Sequence, residues 1–139
     1  MAARIRKLGY YSMKVPNRAG AGAKLLDALR LEGVNLLAFT GFPESGGAQV
    51  DFVPEDDVAF RRAAKRIGMK LSARKAVFLL QGDDRPGAVA GAVGRLATAG
   101  INITALDAVT AGRKRFGAIL WVKAKDVARA ARALGAKAG

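Results

Sequence analysis

The sequence predicts an α+β protein built from two ferredoxin-like βαββαβ modules in tandem, each an antiparallel sheet with helices on one face. Three observations carry this. Arg18-Ala19-Gly20 is followed by Gly33-Val34-Asn35, and Arg85-Pro86-Gly87 by Gly100-Ile101-Asn102, with 13 residues from glycine to glycine in both cases. The block recurs 67 residues on, which divides the chain into like modules spanning 1–74 and 75–139. Around the matched blocks, strand-period and helix-period apolar patterns alternate in the same order twice.

In the first module, Tyr11, Met13 and Val15 share one face of a strand running to Val15. Pro16 to Gly20 is turn chemistry. A helix follows to about Glu32, with Leu26 and Leu29 on its buried stripe and Gly33 closing it. Asn35 to Gly41 is a second strand, Pro43 to Gly47 a hairpin loop, and Gln49 to Val53 a third strand. Asp56 or Asp57 caps a second helix, whose Phe60, Ala63, Ala64 and Ile67 fall at i, i+3, i+4 and i+7. Met69 to Ser72 is expected as a short fourth strand.

The second module repeats the order. Val77 to Gln81 is a strand, and Asp83 to Gly87 a turn with Pro86 placed at or near the first helical turn. A helix then carries Val89, Val93 and Leu96. Strands at Asn102–Val109 and Phe116–Val122 are joined through Ala111-Gly112-Arg113-Lys114, and Asp126 caps a helix with Val127, Ala131 and Leu134 inward. Only Ala136 to Gly139 remain, so the fourth strand of this module is expected to be short or missing, or borrowed from Arg4 to Leu8 or from another chain. Phe78, Leu80, Phe116 and Leu120 are expected on the sheet face away from the helices, with Ile119 and Trp121 towards them. An apolar open face of that kind predicts a homodimer through sheet packing or pairing.

The chain has no cysteine and no histidine. That excludes disulfides, thiolate nucleophiles, Cys/His zinc sites and His-dependent triads. No metal or cofactor is expected, and no enzymatic activity. The first residues lack the apolar core of a secretory signal, and no apolar run approaches the ~20 residues of a membrane span, so the expected location is cytoplasmic. The net charge of +13 would attract phosphates. The basic residues nevertheless divide evenly, 12 in 1–72 and 12 in 73–139. Solvated helix faces such as Arg61, Arg62, Lys65 and Arg66 account for such a distribution, and nucleic acid is not the expected partner.

Each first turn delivers the chain to a helix N-terminus, whose free amides and positive dipole end suit a carboxylate or phosphate. The asparagine after each capping glycine interrupts an apolar run and can both donate and accept hydrogen bonds. Asp84-Arg85-Pro86-Gly87, a helix with Leu96, and Ala99-Gly100-Ile101-Asn102-Ile103 together resemble the signature of the ACT domain, a family of small modules that bind amino acids and regulate biosynthetic enzymes. Asn17-Arg18-Ala19-Gly20 with Gly33-Val34-Asn35 is a weaker copy of it. The resemblance implies a free-standing, non-catalytic regulatory protein that senses an amino acid or similar small carboxylate, with a partner enzyme to receive the signal. Ligand is implied at an interface between modules, between the first turn of one and the Gly-x-Asn segment of another. The implied binding residues are Asp84, Arg85, Pro86, Gly87 and Asn102, with Asn17, Arg18, Gly20 and Asn35 as the equivalent set. The intact turn makes the second module the better binding candidate.

Two other readings share this fold. RNA-recognition motifs are also βαββαβ and stack bases on strand aromatics, a place that Phe78 and Phe116 would take. A ligand-free adaptor acting on a partner enzyme is the third.

Overall fold

A strand of twelve residues, β1 (Arg4–Val15), opens the fold and is followed by α1 (Ala21–Leu31), β2 (Leu36–Glu44), β3 (Gly47–Pro54) and α2 (Asp57–Ile67). After an extended connection come β4 (Lys75–Asp83), α3 (Ala90–Thr98), β5 (Ile103–Thr110) and β6 (Arg115–Val122). A short 3-10 turn, Ala124–Asp126, leads into α4 (Val127–Leu134), and β7 (Lys137–Ala138) is the last element. The structure, a computed structural model, describes residues 3–139; residues 1 and 2, the start of the expected first module, lie outside the described residues. The order is βαββα followed by βαββαβ, the expected pattern twice less the fourth strand of the first module.

The chain forms two compact units, Gly9–Lys75 and Met1–Leu8 with Ala76–Gly139. The division falls at Lys75/Ala76 and again within β1, at Leu8/Gly9. In the Gly9–Lys75 unit the strand order is β2-β3-β1, antiparallel throughout, with Tyr11 opposite Phe52 and Phe39 opposite Phe52 on its other side. In the other unit the order is β5-β6-β4-β1. Arg4–Leu8 therefore stands beside β4, where the fourth strand of a βαββαβ module belongs. The C-terminal strand is only two residues long and adds in parallel to β1, Arg6 opposite Lys137. Gly82 is buried and lacks room for a side chain: a Cβ there would lie 3.1 Å from the Ala3 Cα and 3.0 Å from the Phe116 ring.

Each unit has its own helix-side core. In Gly9–Lys75, Tyr11, Val50 and Phe52 pack with Leu29, Phe60 and Ala63. Tyr11 and Phe52 lie with ring centroids 5.4 and 5.5 Å from that of Phe60. In the other unit Phe78, Leu80, Phe116 and Leu120 pack with Ala92, Leu96, Ala130 and Leu134. This reverses the expected phase: these residues face the helices. The alternate set, Val77, Leu79, Ile119 and Trp121, is also buried. With both sets apolar, a period of two cannot tell the faces apart. The open apolar face that predicted a homodimer is therefore not there, and Phe78 and Phe116 are core residues rather than a stacking surface.

Three smaller expectations also change. On α1 the inward pair is Leu25 and Leu29, one turn apart, whereas Leu26 is exposed. Asp56 caps α2 through Ala59 N–H as expected, but the Asp126 carboxylate makes no cap and instead accepts from Arg129 at 3.3 Å. Met69–Ser72 forms no strand. Ser72 N–H donates to Ser12 O, but Ser12 N–H donates to Ser72 Oγ, so a hydroxyl stands where a ladder carbonyl is needed.

The four α-helices among the described residues stop in one way. Val34 N–H donates to Leu29 O and Gly33 N–H to Arg30 O; Ile101 and Gly100 repeat the pair with Leu96 and Ala97. Met69 with Gly68, and Ala136 with Gly135, do the same for α2 and α4. This is the Schellman pattern, whose penultimate residue must take a positive φ, here 74° at Gly33 and 71° at Gly100. The 67-residue repeat thus reaches the second helix of each module as well. Among the described residues no helix is long and apolar enough to cross a membrane.

Candidate functional site

Arg85-Pro86-Gly87-Ala88 closes a turn in which Ala88 N–H donates to Arg85 O at 3.0 Å and Gly87 has φ +80°. This is a type II turn, which favours proline second and needs a residue free to take positive φ third. Arg18-Ala19-Gly20-Ala21 closes the same way, with Ala21 N–H to Arg18 O at 3.4 Å and Gly20 at φ +89°. α1 starts at once at Ala21, whereas α3 waits until Ala90. Pro86 therefore lies in the turn that precedes the helix, near its first turn rather than in it, as the sequence allows. No side chain caps either helix at its N-terminus.

Both turns line clefts. In the Ala76–Gly139 half, a cleft of about 400 Å³ is bordered by Asp84, Arg85 and Gly87, by the end of β5 at Ala108–Thr110, and by Phe116. In the Gly9–Lys75 unit, a cleft of about 260 Å³ is bordered by Asn17 and Arg18, by the end of β2 at Gly41–Pro43, and by Val15 and Val50. The two are built from equivalent positions: Arg18 and Arg85, Gly41 and Ala108, Phe42 and Val109, and Pro43 and Thr110 are each 67 residues apart. Their polar equipment differs at two of these places: Asp84 stands where the first cleft has Asn17, and Thr110 where it has Pro43. Asp84 N–H donates to Lys114 O at 2.7 Å, and Arg115 pairs with Asp83 at 2.9 Å, so this turn is tied to the β5–β6 hairpin.

Of the residues singled out by sequence, Asp84, Arg85 and Gly87 meet in one cleft and Asn17 and Arg18 in the other. Pro86 and Gly20 shape the turns without lining the clefts. Asn35 and Asn102 are exposed and lie elsewhere, at the starts of β2 and β5, while the cleft walls come from the ends of those strands. Sequence reasoning missed the walls because the repeat aligns positions there but not residue types: Gly41-Phe42-Pro43 against Ala108-Val109-Thr110. Phe42 and Val109, on the two rims, are exposed apolar residues. Among the described residues no three acidic side chains gather as a cation site.

No protein-family model matches the sequence, and no curated protein matches it. Solved structures do share the fold. A Bacteroides thetaiotaomicron protein superposes with a TM-score of 0.72 at 19% identity, over 96% of this chain and 88% of its own. The ligand-free regulatory subunit of aspartate kinase from Thermus thermophilus gives 0.64 at 19% identity, over 97% and 95%. Its counterpart from Thermus flavus gives 0.59 at 18%, over 97% and 95%.

Proposed function

We propose that this chain is a non-catalytic, cytoplasmic regulatory protein of ACT type that binds an amino acid or a similar small carboxylate at the turn clefts. The observation that carries the reading is the doubled cleft, in which an uncapped helix N-terminus and an arginine border an apolar wall at equivalent positions of both modules. A ligand carboxylate would meet the helix amides and Arg85 or Arg18. Asp84 adds an acceptor for an ammonium group in the larger cleft, which makes that cleft the stronger amino-acid site. The likeness in fold to regulatory subunits of aspartate kinase supports the regulatory part of the reading.

The position of Asn102 suits a site completed by a second copy. β5 ends the strand order and runs from beside Asn102 to the cleft wall at Thr110. Antiparallel pairing of β5 with the β5 of another copy would set Asn102 of that copy beside this Thr110. Ligand would then stabilise the pair, and with it one state of a partner enzyme.

A thermal-shift screen over the twenty amino acids tests the proposal. A ligand at a hundredfold over Kd adds about 2.7 kcal/mol, and Arg85→Ala removes the shift. No stabilisation by any amino acid would leave the ligand-free adaptor, seen as an enzyme that co-purifies.

A further inference from the structure

The two turn clefts occupy equivalent positions but are not equipped for one ligand. The side chains that border the larger cleft carry two charges of opposite sign, those of Asp84 and Arg85. Those that border the smaller cleft carry one, that of Arg18, because Asn17 stands 67 residues before Asp84. Arg18 is exposed and has no acidic partner among the described residues. Glu44 follows the cleft residue Pro43 in sequence, but it pairs with Lys14 at 3.7 Å and does not border the cleft.

The walls differ in the same sense. Phe42 and Pro43 of the smaller cleft stand where the larger has Val109 and Thr110. Phe39 adds a second ring to the smaller cleft, held against the core ring of Phe52 at a centroid distance of 5.3 Å. The wall is therefore bulkier and less polar than its counterpart. Close to α1 the reverse holds. Gly22 borders the smaller cleft where the larger has Val89, and a Cβ at Gly22 would meet nothing within 4 Å. The way to the first amides of α1 is open.

We infer that the smaller cleft takes a monocarboxylate with an apolar, ring-sized body and no amino group, while the larger cleft takes the amino acid. The inference rests on the proposed reading of both clefts as carboxylate sites and assigns them different ligands. A carboxylate needs a cation and free amides, which Arg18 and the start of α1 supply. An amino acid brings an ammonium group as well, which gives up water on binding. Asp84 answers that group with an anion, whereas Asn17 has only a neutral amide oxygen. Selectivity then comes from the charge left without its counterpart, and the rings of Phe39 and Phe42 hold the apolar body.

Hydrocinnamate and L-phenylalanine differ only in the amino group, which makes them the probes. NMR titration of the isotope-labelled full chain reads both clefts at once, through the amides of Gly20 and Gly22 for the smaller and of Gly87 and Val89 for the larger. At Gly20 and Gly22 hydrocinnamate should bind at least about tenfold more tightly than L-phenylalanine, the factor for one polar group left unpaired. Asn17→Asp should close that gap, and Arg18→Gln should abolish both responses there without changing those at Gly87 and Val89. Equal affinity of the two probes at the smaller cleft, an unchanged gap in Asn17→Asp, or silence there while an amino acid shifts Gly87 overturns this inference and leaves the proposed function standing. Silence at both turns, for hydrocinnamate and for all twenty amino acids, overturns the proposed function along with it.

Discussion

The Tyr11 hydroxyl donates to Asp57 Oδ1 at 2.6 Å, joining the first strand of the Gly9–Lys75 unit to the N-terminus of its second helix. Burial and this bond to an anion push the Tyr11 hydroxyl up to about 12. Burial alone would raise Asp57, but the Tyr11 hydroxyl, Arg74 and Arg61 outweigh it and hold the carboxyl below its ordinary value.

Tyr11→Phe should cost about 1.5–3 kcal/mol at neutral pH, since it removes one hydrogen bond to a charged group and leaves the ring packing intact. A depressed carboxyl contributes stability above its unfolded value of 3.8 and loses it as pH falls through the folded value. The raised Tyr11 hydroxyl contributes below 10 and loses it as pH rises towards about 12. Urea unfolding of both proteins should therefore show the deficit of the variant at pH 7 and a smaller one near pH 3. An undiminished deficit at low pH would break the link to Asp57.

Ala19→Pro should stabilise the protein by about 0.4–1 kcal/mol, because the second place of a type II turn already has the φ that proline imposes. Pro86→Ala should lose a similar amount. Opposite signs in a pair of thermal melts check that the two turns are the same structure; Ala19→Pro that destabilises would refute it.

Phe116→Ala should cost about 3–5 kcal/mol, the range for emptying a buried aromatic site. Phe116 is 6% exposed and packs in the helix-side core. A change of under 1 kcal/mol by urea titration would mean that its ring is not part of that core.

A fragment of residues 76–139 should not fold alone, since it lacks Arg4–Leu8, the strand beside β4. Fusing residues 3–8 to its C-terminus through a flexible linker should restore a cooperative melt, and Gly82→Leu in that fusion should remove it by colliding with Ala3 and Phe116. Circular dichroism of the three polypeptides gives the answer.

The repeat made most of this legible. Glycines at equal spacing marked the helix ends because a Schellman cap tolerates little else, and the turns were marked by Arg18 to Gly20 and Arg85 to Gly87 for the same kind of reason. The direction of the sheet faces was not legible: β4 reads Val77-Phe78-Leu79-Leu80, apolar on both sides, so the pattern holds no phase information. The cleft walls were hidden because an edge of a cleft needs a shape, which alanine at 108 and glycine at 41 supply equally well. The exposure of Leu26 was hidden between two adjacent leucines on α1, since both Leu25 at i−4 and Leu26 at i−3 lie on the side of Leu29 and the spacing does not choose between them.

The placement of Arg4–Leu8 also sets an order of events during synthesis. That strand leaves the ribosome first within its unit, while β4, β5, β6 and β7, the strands that complete its sheet, leave after the whole of Gly9–Lys75. The inserted unit can close while its host is still a single unpartnered strand, which must be held open until the last residues arrive. Nascent chains arrested after Lys75 should therefore protect the backbone from Gly9 onward while Arg4–Leu8 still exchanges freely.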